Sequence, residues 1–159
     1  MLDAAMRLAP PGTESIHLDI GLLPHFNPDL DTESPPLEVS AFREALRTSD
    51  AVIFSTPEYV HSLPGALKDA LDWLVSSAEL YEKPVSLLNA SPNGGQRGQE
   101  ALRYTLGIMM ANVVDEASLT EPFVPGRMDT EDLLADPGLR TKLQLGVEAL
   151  LAAASKPVD

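Results

Sequence analysis

Two short stretches carry the residue types that could do chemistry. The first is TPEYVHSLPG, residues 56–65, and the second is ASPNGGQRG, residues 90–98. Each follows an unbroken apolar run, AVIF at 51–54 and VSLL at 85–88, and each leads into residues with the apolar spacing of a helix. In a parallel sheet, ligands collect outside the carboxyl ends of the strands, so both stretches are expected on one rim. Pro57 ends its strand because it has no N–H to donate. Pro64 suits the first turn of a helix, where a missing N–H costs nothing. The segment between them is stiff at both ends and offers backbone amides. Gly94 and Gly95 allow φ above zero and the close approach of a flat ligand to the backbone, and Arg97 adds a cation at the same rim. On that view, a Gly95→Val change should lower ligand affinity more than stability. The bland alternative is a strand-to-helix turn and nothing more. Trp73 and Tyr104 are expected as core or interface aromatics, and His61 as a solvated loop residue.

Other chemistries find little support. The chain has no cysteine, which excludes disulfides, thiolate metal sites and a cysteine nucleophile. His17, His25 and His61 fall one per segment, without metal-ligand spacing. Asp29, Asp31 and Glu33 resemble the start of a calcium loop. The glycine and distant glutamate of such a loop are missing, and Pro35-Pro36 interrupts it. No GxSxG nucleophile turn and no GxGxxG phosphate loop occur. No catalytic side chain and no metal ligand is assigned.

The 11 basic and 24 acidic residues give a net charge of −13. That field repels nucleic acid and anionic membranes, so neither is expected as a partner. No apolar run approaches the roughly 20 residues of a membrane span. The start, MLDAAMRLAPPG, lacks the features of a secretory signal, and a cytoplasmic location is the default expectation. A chain of 159 residues with 44% hydrophobic content fits one domain, 1–159, with a sizeable core.

The elements that must position the two stretches can be read from periodicity. Residues 1–8 read as the end of a helix, stopped by Pro10-Pro11-Gly12. Residues 15–20 (SIHLDI) alternate and read as a short strand with one polar face. Residues 21–36 hold four prolines and read as a loop. Helices are expected at 37–48, from 66 to about 78, at 99–110, at 130–134 and at 139–154. Strands are expected at 51–54 and 85–89, with a weak one at 112–119. This alternation predicts an α/β protein, a parallel sheet covered by helices on both faces.

The quoted residues also carry a family likeness. STPEYVHSLPGALKDALDW, residues 55–73, closely resembles the signature region of the NAD(P)H-dependent FMN reductases, flavoproteins that include chromate, quinone and azo-dye reductases. Pro57, Glu58, Tyr59, Pro64, Gly65, Leu67, Lys68, Ala70, Leu71, Asp72 and Trp73 fit that pattern. LLPHFNPDLD (22–31) and KPVSLLNASPNGGQRG (83–98) resemble the family's proline-rich loop and second flavin loop. The likeness runs to about Pro122.

The resemblance implies a flavodoxin-like three-layer α/β/α fold that binds FMN. Pro57, Glu58, Tyr59 and Val60 would border the isoalloxazine ring from one side, and Ser91, Asn93, Gly94 and Gly95 from the other. NADPH or NADH would reduce the flavin, which would reduce a small-molecule acceptor: a quinone, a free flavin, an azo compound or a metal oxyanion. A homodimer or homotetramer is implied. The alternatives are a degenerate flavodoxin-like protein without flavin, acting as a structural or interaction subunit, and a flavodoxin-type electron carrier.

Two departures stand out. Val60 replaces the family's usual asparagine, with Asp69 a milder change of the same kind. The family's first strand and its G-S-x-R-x-x-S phosphate loop have no counterpart, because residues 1–8 align with the helix that follows them. In the strand order 2-1-3-4-5 that strand lies between residues 15–20 and 51–54. Three outcomes are expected as possibilities: a longer product, pairing borrowed from another subunit, or flanking strands that close up around the gap.

Overall fold

The structure is a computed structural model. It describes residues 1–89, 91, 94–119 and 129–156. Asn93 and the expected flavin-loop residues 90 and 92 lie outside the described residues.

Helices occupy Leu2–Leu8 (α1), Leu37–Thr48 (α2), Gly65–Asp72 (α3), Gln96–Ile108 (α4), Thr130–Ala135 (α5) and Pro137–Ala154 (α6). Strands occupy Val52–Thr56 (β1), Pro84–Asn89 (β2) and Asn112–Val113 (β3), in the order β1-β2-β3, all parallel. The register pairs Val52 with Val85 and Thr56 with Asn89, so β1 and β2 end together.

Side-chain alternation on the strands divides the core in two. Val85 and Leu87 point to one face, joining Phe42 and Leu46 of α2, Leu67 and Leu71 of α3, and Leu102 and Leu106 of α4. Leu88 points to the other, with Ala4 and Ala5 of α1, Leu133 of α5, and Leu143 and Val147 of α6. The result is three layers, as the alternation of elements predicts.

Most element ends shift by no more than three residues from the sequence expectations; three differences are larger, each for a physical reason. The helix expected to reach about 78 ends at Asp72. Trp73 is fully buried, its indole N–H donating to the Pro24 carbonyl (2.8 Å) and its ring meeting Phe26 edge-on at 5.0 Å. Arg43 donates to the Trp73 carbonyl, which takes that carbonyl as a helix continuation would. The weak strand 112–119 is broken by a 3-10 turn, Asp115–Ala117. Pairing with β2 resumes only at Leu119, and the Ser86 and Ser118 hydroxyls bridge the gap.

The third difference is the largest: residues 15–20 form no strand. They run irregularly into a 3-10 turn, Ile20–Leu22, whose cap is the Asp19 side chain. The backbone amides from Glu14 to Leu18 have no partner among the described residues. A cavity of about 1010 Å³ separates this segment from β1. The flanking segments therefore do not close up around the gap. Alternating residues promote a strand only when a neighbouring ladder accepts it.

The proline-rich loop 21–36 is nonetheless held firmly. The Phe26 amide donates to the Asp69 carboxylate (2.9 Å). Asp31 accepts from Arg43 (2.8 Å) and Ser76 (2.9 Å), and these bonds hold its carboxyl below the usual range. Asp31 is thus committed to a largely buried ion pair, not to a cation loop.

Candidate functional site

Because β1 and β2 end in register, the loops that leave them meet. The Glu58 amide donates to the Ser91 hydroxyl at 2.6 Å, across 33 residues of chain. In return the Glu58 carboxylate accepts from the Gly98 amide at 2.8 Å, in the first turn of α4. α4 has no side-chain cap of its own, so Glu58 caps it from the other loop. A negative charge suits that helix end. His61 Nδ1 lies 3.0 Å from the second carboxylate oxygen. The Gly98 amide, and then His61, hold the Glu58 carboxyl below the ordinary glutamate range. Its side chain is only 17% exposed. The turns centred on Tyr59 and Gly95 share one edge of the sheet.

The first turn is a two-residue hairpin. Tyr59 and Ser62 exchange both backbone hydrogen bonds (3.1 and 3.0 Å), and Val60 and His61 both have positive φ, 51° and 57°. Turns of this kind favour Asn-Gly, because a Cβ is strained in that region. Val60 is a β-branched residue in a left-handed conformation and is 97% exposed. Its side chain therefore has nothing to pack against, and the strain goes uncompensated. The asparagine of the family pattern has a conformational use here, beyond its amide. Tyr59 is exposed, and the Val60 and His61 amides make no hydrogen bond among the described residues.

The second turn is built on a residue that sequence reasoning passed over. Asn89, the last residue of β2, is fully buried. Its side-chain oxygen accepts from the Ser91 amide (2.8 Å), and its amide donates to the Gly94 carbonyl. The available signal was a lone asparagine closing an apolar strand just before a glycine pair. Gly98 leaves room for the Glu58 brace, since a Cβ there would stand 3.0 Å from the Glu58 Cβ.

Gly95 also serves a different purpose from the one expected. A Cβ on it would fall 2.5 Å from the Ser91 hydroxyl and 2.7 Å from the Asn89 oxygen, and its φ is +54°. The close approach is to the protein's own loop, so Gly95→Val acts on stability first. Gly94, with φ +92°, has open space beside it and is the glycine that leaves room for an outside group.

Of the expected site residues, Pro57, Glu58, Tyr59, Val60, Ser91, Gly94 and Gly95 are brought together. Glu58, Ser91 and Gly95 face inward and build the rim, while Tyr59, Val60 and Gly94 offer surface. Trp73 proves to be core, whereas Tyr104 is exposed on α4. His61 is largely exposed and bound to Glu58. The Arg97 side chain is exposed at the start of α4.

A parallel sheet between two helical layers, with its loops braced at the carboxyl edge, defines a flavodoxin-like α/β protein. Residues 1–124 match the model of the NADPH-dependent FMN reductases. The chain belongs to that family. It is 33% identical over 153 residues to an NAD(P)H-dependent FMN reductase of Pseudomonas aeruginosa, covering 94% of this chain and 83% of the relative. A quinone reductase of Pseudomonas putida is 39% identical over 110 residues, which is 65% of this chain and 58% of that protein. The solved structure of FerB, a flavoenzyme NAD(P)H:(acceptor) oxidoreductase of Paracoccus denitrificans, superposes with a TM-score of 0.83 at 26% identity, over 96% of this chain and 86% of FerB.

Proposed function

We propose that this chain is an NAD(P)H-dependent FMN oxidoreductase whose flavin ring rests on the rim formed by Pro57, Glu58, Tyr59, Val60, Ser91, Gly94 and Gly95, with Asn93, which lies outside the described residues, as a further contact that the family likeness implies. The observation that carries this reading is the Glu58 bridge, which joins both loops at the end of β1 and β2. The ring half of the cofactor suits the residues present. The exposed Tyr59 side chain, the unpaired Val60 and His61 amides and the open flank of Gly94 are apolar surface and donors side by side. The phosphate half has no comparable match among the described residues, where Arg97 is the cation of the rim.

The chemistry supplied by bound FMN is two-electron transfer, in from NADPH or NADH and out to a quinone, flavin, azo or metal-oxyanion acceptor. The chain's own residues bind and orient. Glu58 and Ser91 fix the spacing of the loops, Asn89 holds the glycine turn in shape, and Tyr59 shields one edge of the ring from water. The proton consumed when a quinone is reduced comes from solvent, and no side chain is assigned to move it. The reading extends to a single functional domain over 1–159, a homodimer or homotetramer, and a cytoplasmic enzyme. No helix among the described residues is long and apolar enough to cross a membrane.

The test is absorption spectroscopy of the purified chain after incubation with FMN and gel filtration, followed by NADPH oxidation with a quinone. Retained blue-light absorption and steady turnover are expected. A chain that elutes without flavin, or one that holds flavin but leaves NADPH unoxidised, would overturn the reading in favour of a structural subunit or an electron carrier.

A further inference from the structure

Val60 is at odds with its own conformation. It is β-branched, its φ is 51°, and its side chain is almost wholly exposed. A β-branched residue is rarely left-handed, because its Cβ crowds the backbone. Burial does not offset that cost here. The turn nevertheless holds the valine in place. Tyr59 and Ser62 exchange both backbone hydrogen bonds across it, and Glu58 ties the start of the turn to Ser91 and Gly98. Strain that persists in a braced segment is a mark of use by a ligand.

The strained tip presents apolar surface. Tyr59, also exposed, adjoins Val60, so two neighbouring apolar side chains stand open at the rim. A lone exposed apolar side chain needs no explanation; a strained one beside a second, on a turn braced from two sides, does. The charged groups of the same loop are engaged with each other, the Glu58 carboxylate lying 3.0 Å from His61 Nδ1.

We propose that Val60 sets specificity for the electron acceptor: its isopropyl group meets an alkyl substituent of an uncharged acceptor ring, and the rim disfavours acceptors that are bare or anionic. This rests on the flavin reading above, because the acceptor must reach the ring that the rim holds. Other uses of residue 60 do not call for valine. Its amide is a donor that nearly any residue would supply. A polar acceptor would be served by asparagine or glycine, which occupy the left-handed region at lower cost. Contact with an apolar group is what the isopropyl group adds. Anionic acceptors are opposed by the net charge of −13 as well.

The experiment uses the FMN-loaded chain with 1,4-benzoquinone and its tetramethyl derivative, in wild type, Val60→Thr and Val60→Asn. Threonine keeps the β-branched shape and exchanges one methyl for a hydroxyl; asparagine also relieves the strain. The readout is the ratio of kcat/KM for the tetramethyl quinone to that for the bare one. Comparing this ratio between variants cancels the quinones' intrinsic reactivities and any difference in flavin content. It should fall at least about threefold in both variants, chiefly through a higher KM for the tetramethyl quinone. With wild type, kcat/KM for a sulfonated naphthoquinone should rise with added salt, and that for 2-methyl-1,4-naphthoquinone should stay within about twofold. An unchanged ratio, a fall confined to Val60→Asn, or a sulfonated quinone used no better as salt is added would each overturn the proposal while leaving the flavin reading intact. A wild-type chain that holds no FMN would overturn both.

Discussion

β1 has two edges, and they differ sharply. Toward β2 it is paired over five residues, and the loops that follow are laced together by Glu58, Ser91 and Asn89. On its other edge it faces the 1010 Å³ cavity, and the alternating segment beyond stays unpaired. The contrast teaches that strand-forming sequence is necessary on both sides and sufficient on neither. VIFST and PVSLLN make a ladder because each finds the other at sheet spacing. SIHLDI has the pattern but no adjacent partner among the described residues, and its backbone is irregular.

The largest effect that could break this contrast lies in hydrogen exchange of the flavin-free chain. Amides at 14–18 should exchange at least about a thousandfold faster than those at 85–88, since only the latter need unfolding to open. Similar protection in both segments would mean that the open side is closed in solution.

On the braced side, the strongest expected single change is Gly95→Val. A Cβ within 2.7 Å of both Ser91 and Asn89, on a backbone with φ +54°, should cost about 3 kcal/mol or more in urea unfolding. FMN affinity would fall as a consequence. A variant that keeps its stability and loses only affinity would restore the view that this glycine makes room for the ring.

Val60→Asn is a smaller change with the opposite sign. Asparagine tolerates the left-handed region that the valine at φ 51° occupies under strain. The midpoint of unfolding should rise by the equivalent of about 1 kcal/mol. No rise would indicate that the hairpin is less ordered than its hydrogen bonds imply.

Glu58→Gln should have the smallest effect at neutral pH, because an amide oxygen can still accept from Gly98. The difference lies in its pH dependence. The Glu58 carboxyl is held below its unfolded value, so its contribution is fully present above the ordinary glutamate range, about 4.3. That contribution is lost as pH falls through the lower folded value. Wild type should therefore exceed the glutamine variant in stability near neutrality, and the two should converge on acidification. Parallel curves down to acid would show that the brace acts without its charge.

Much of the molecule was legible beforehand, and the limits have physical causes. The helices and the two long strands follow from apolar periodicity, and the placement of both loops on one rim follows from the parallel order. The roles of Asn89, Gly95 and Gly98 were not legible. Each depends on which side chain from another segment occupies the space a Cβ would fill. Trp73 illustrates the same limit. Its burial could be anticipated, but its service to the proline loop through Pro24 and Phe26 required the folded neighbour.

The chain's letters alone were enough to settle which segments are helices, where the buried strands lie and which family it belongs to, because those properties rest on local spacing and on a contiguous motif. Folding in three dimensions decided two further matters: that Glu58 caps a helix forty residues away, and that residues 15–20 find no ladder among the described residues. Both depend on contacts between distant segments, and no window of sequence contains them.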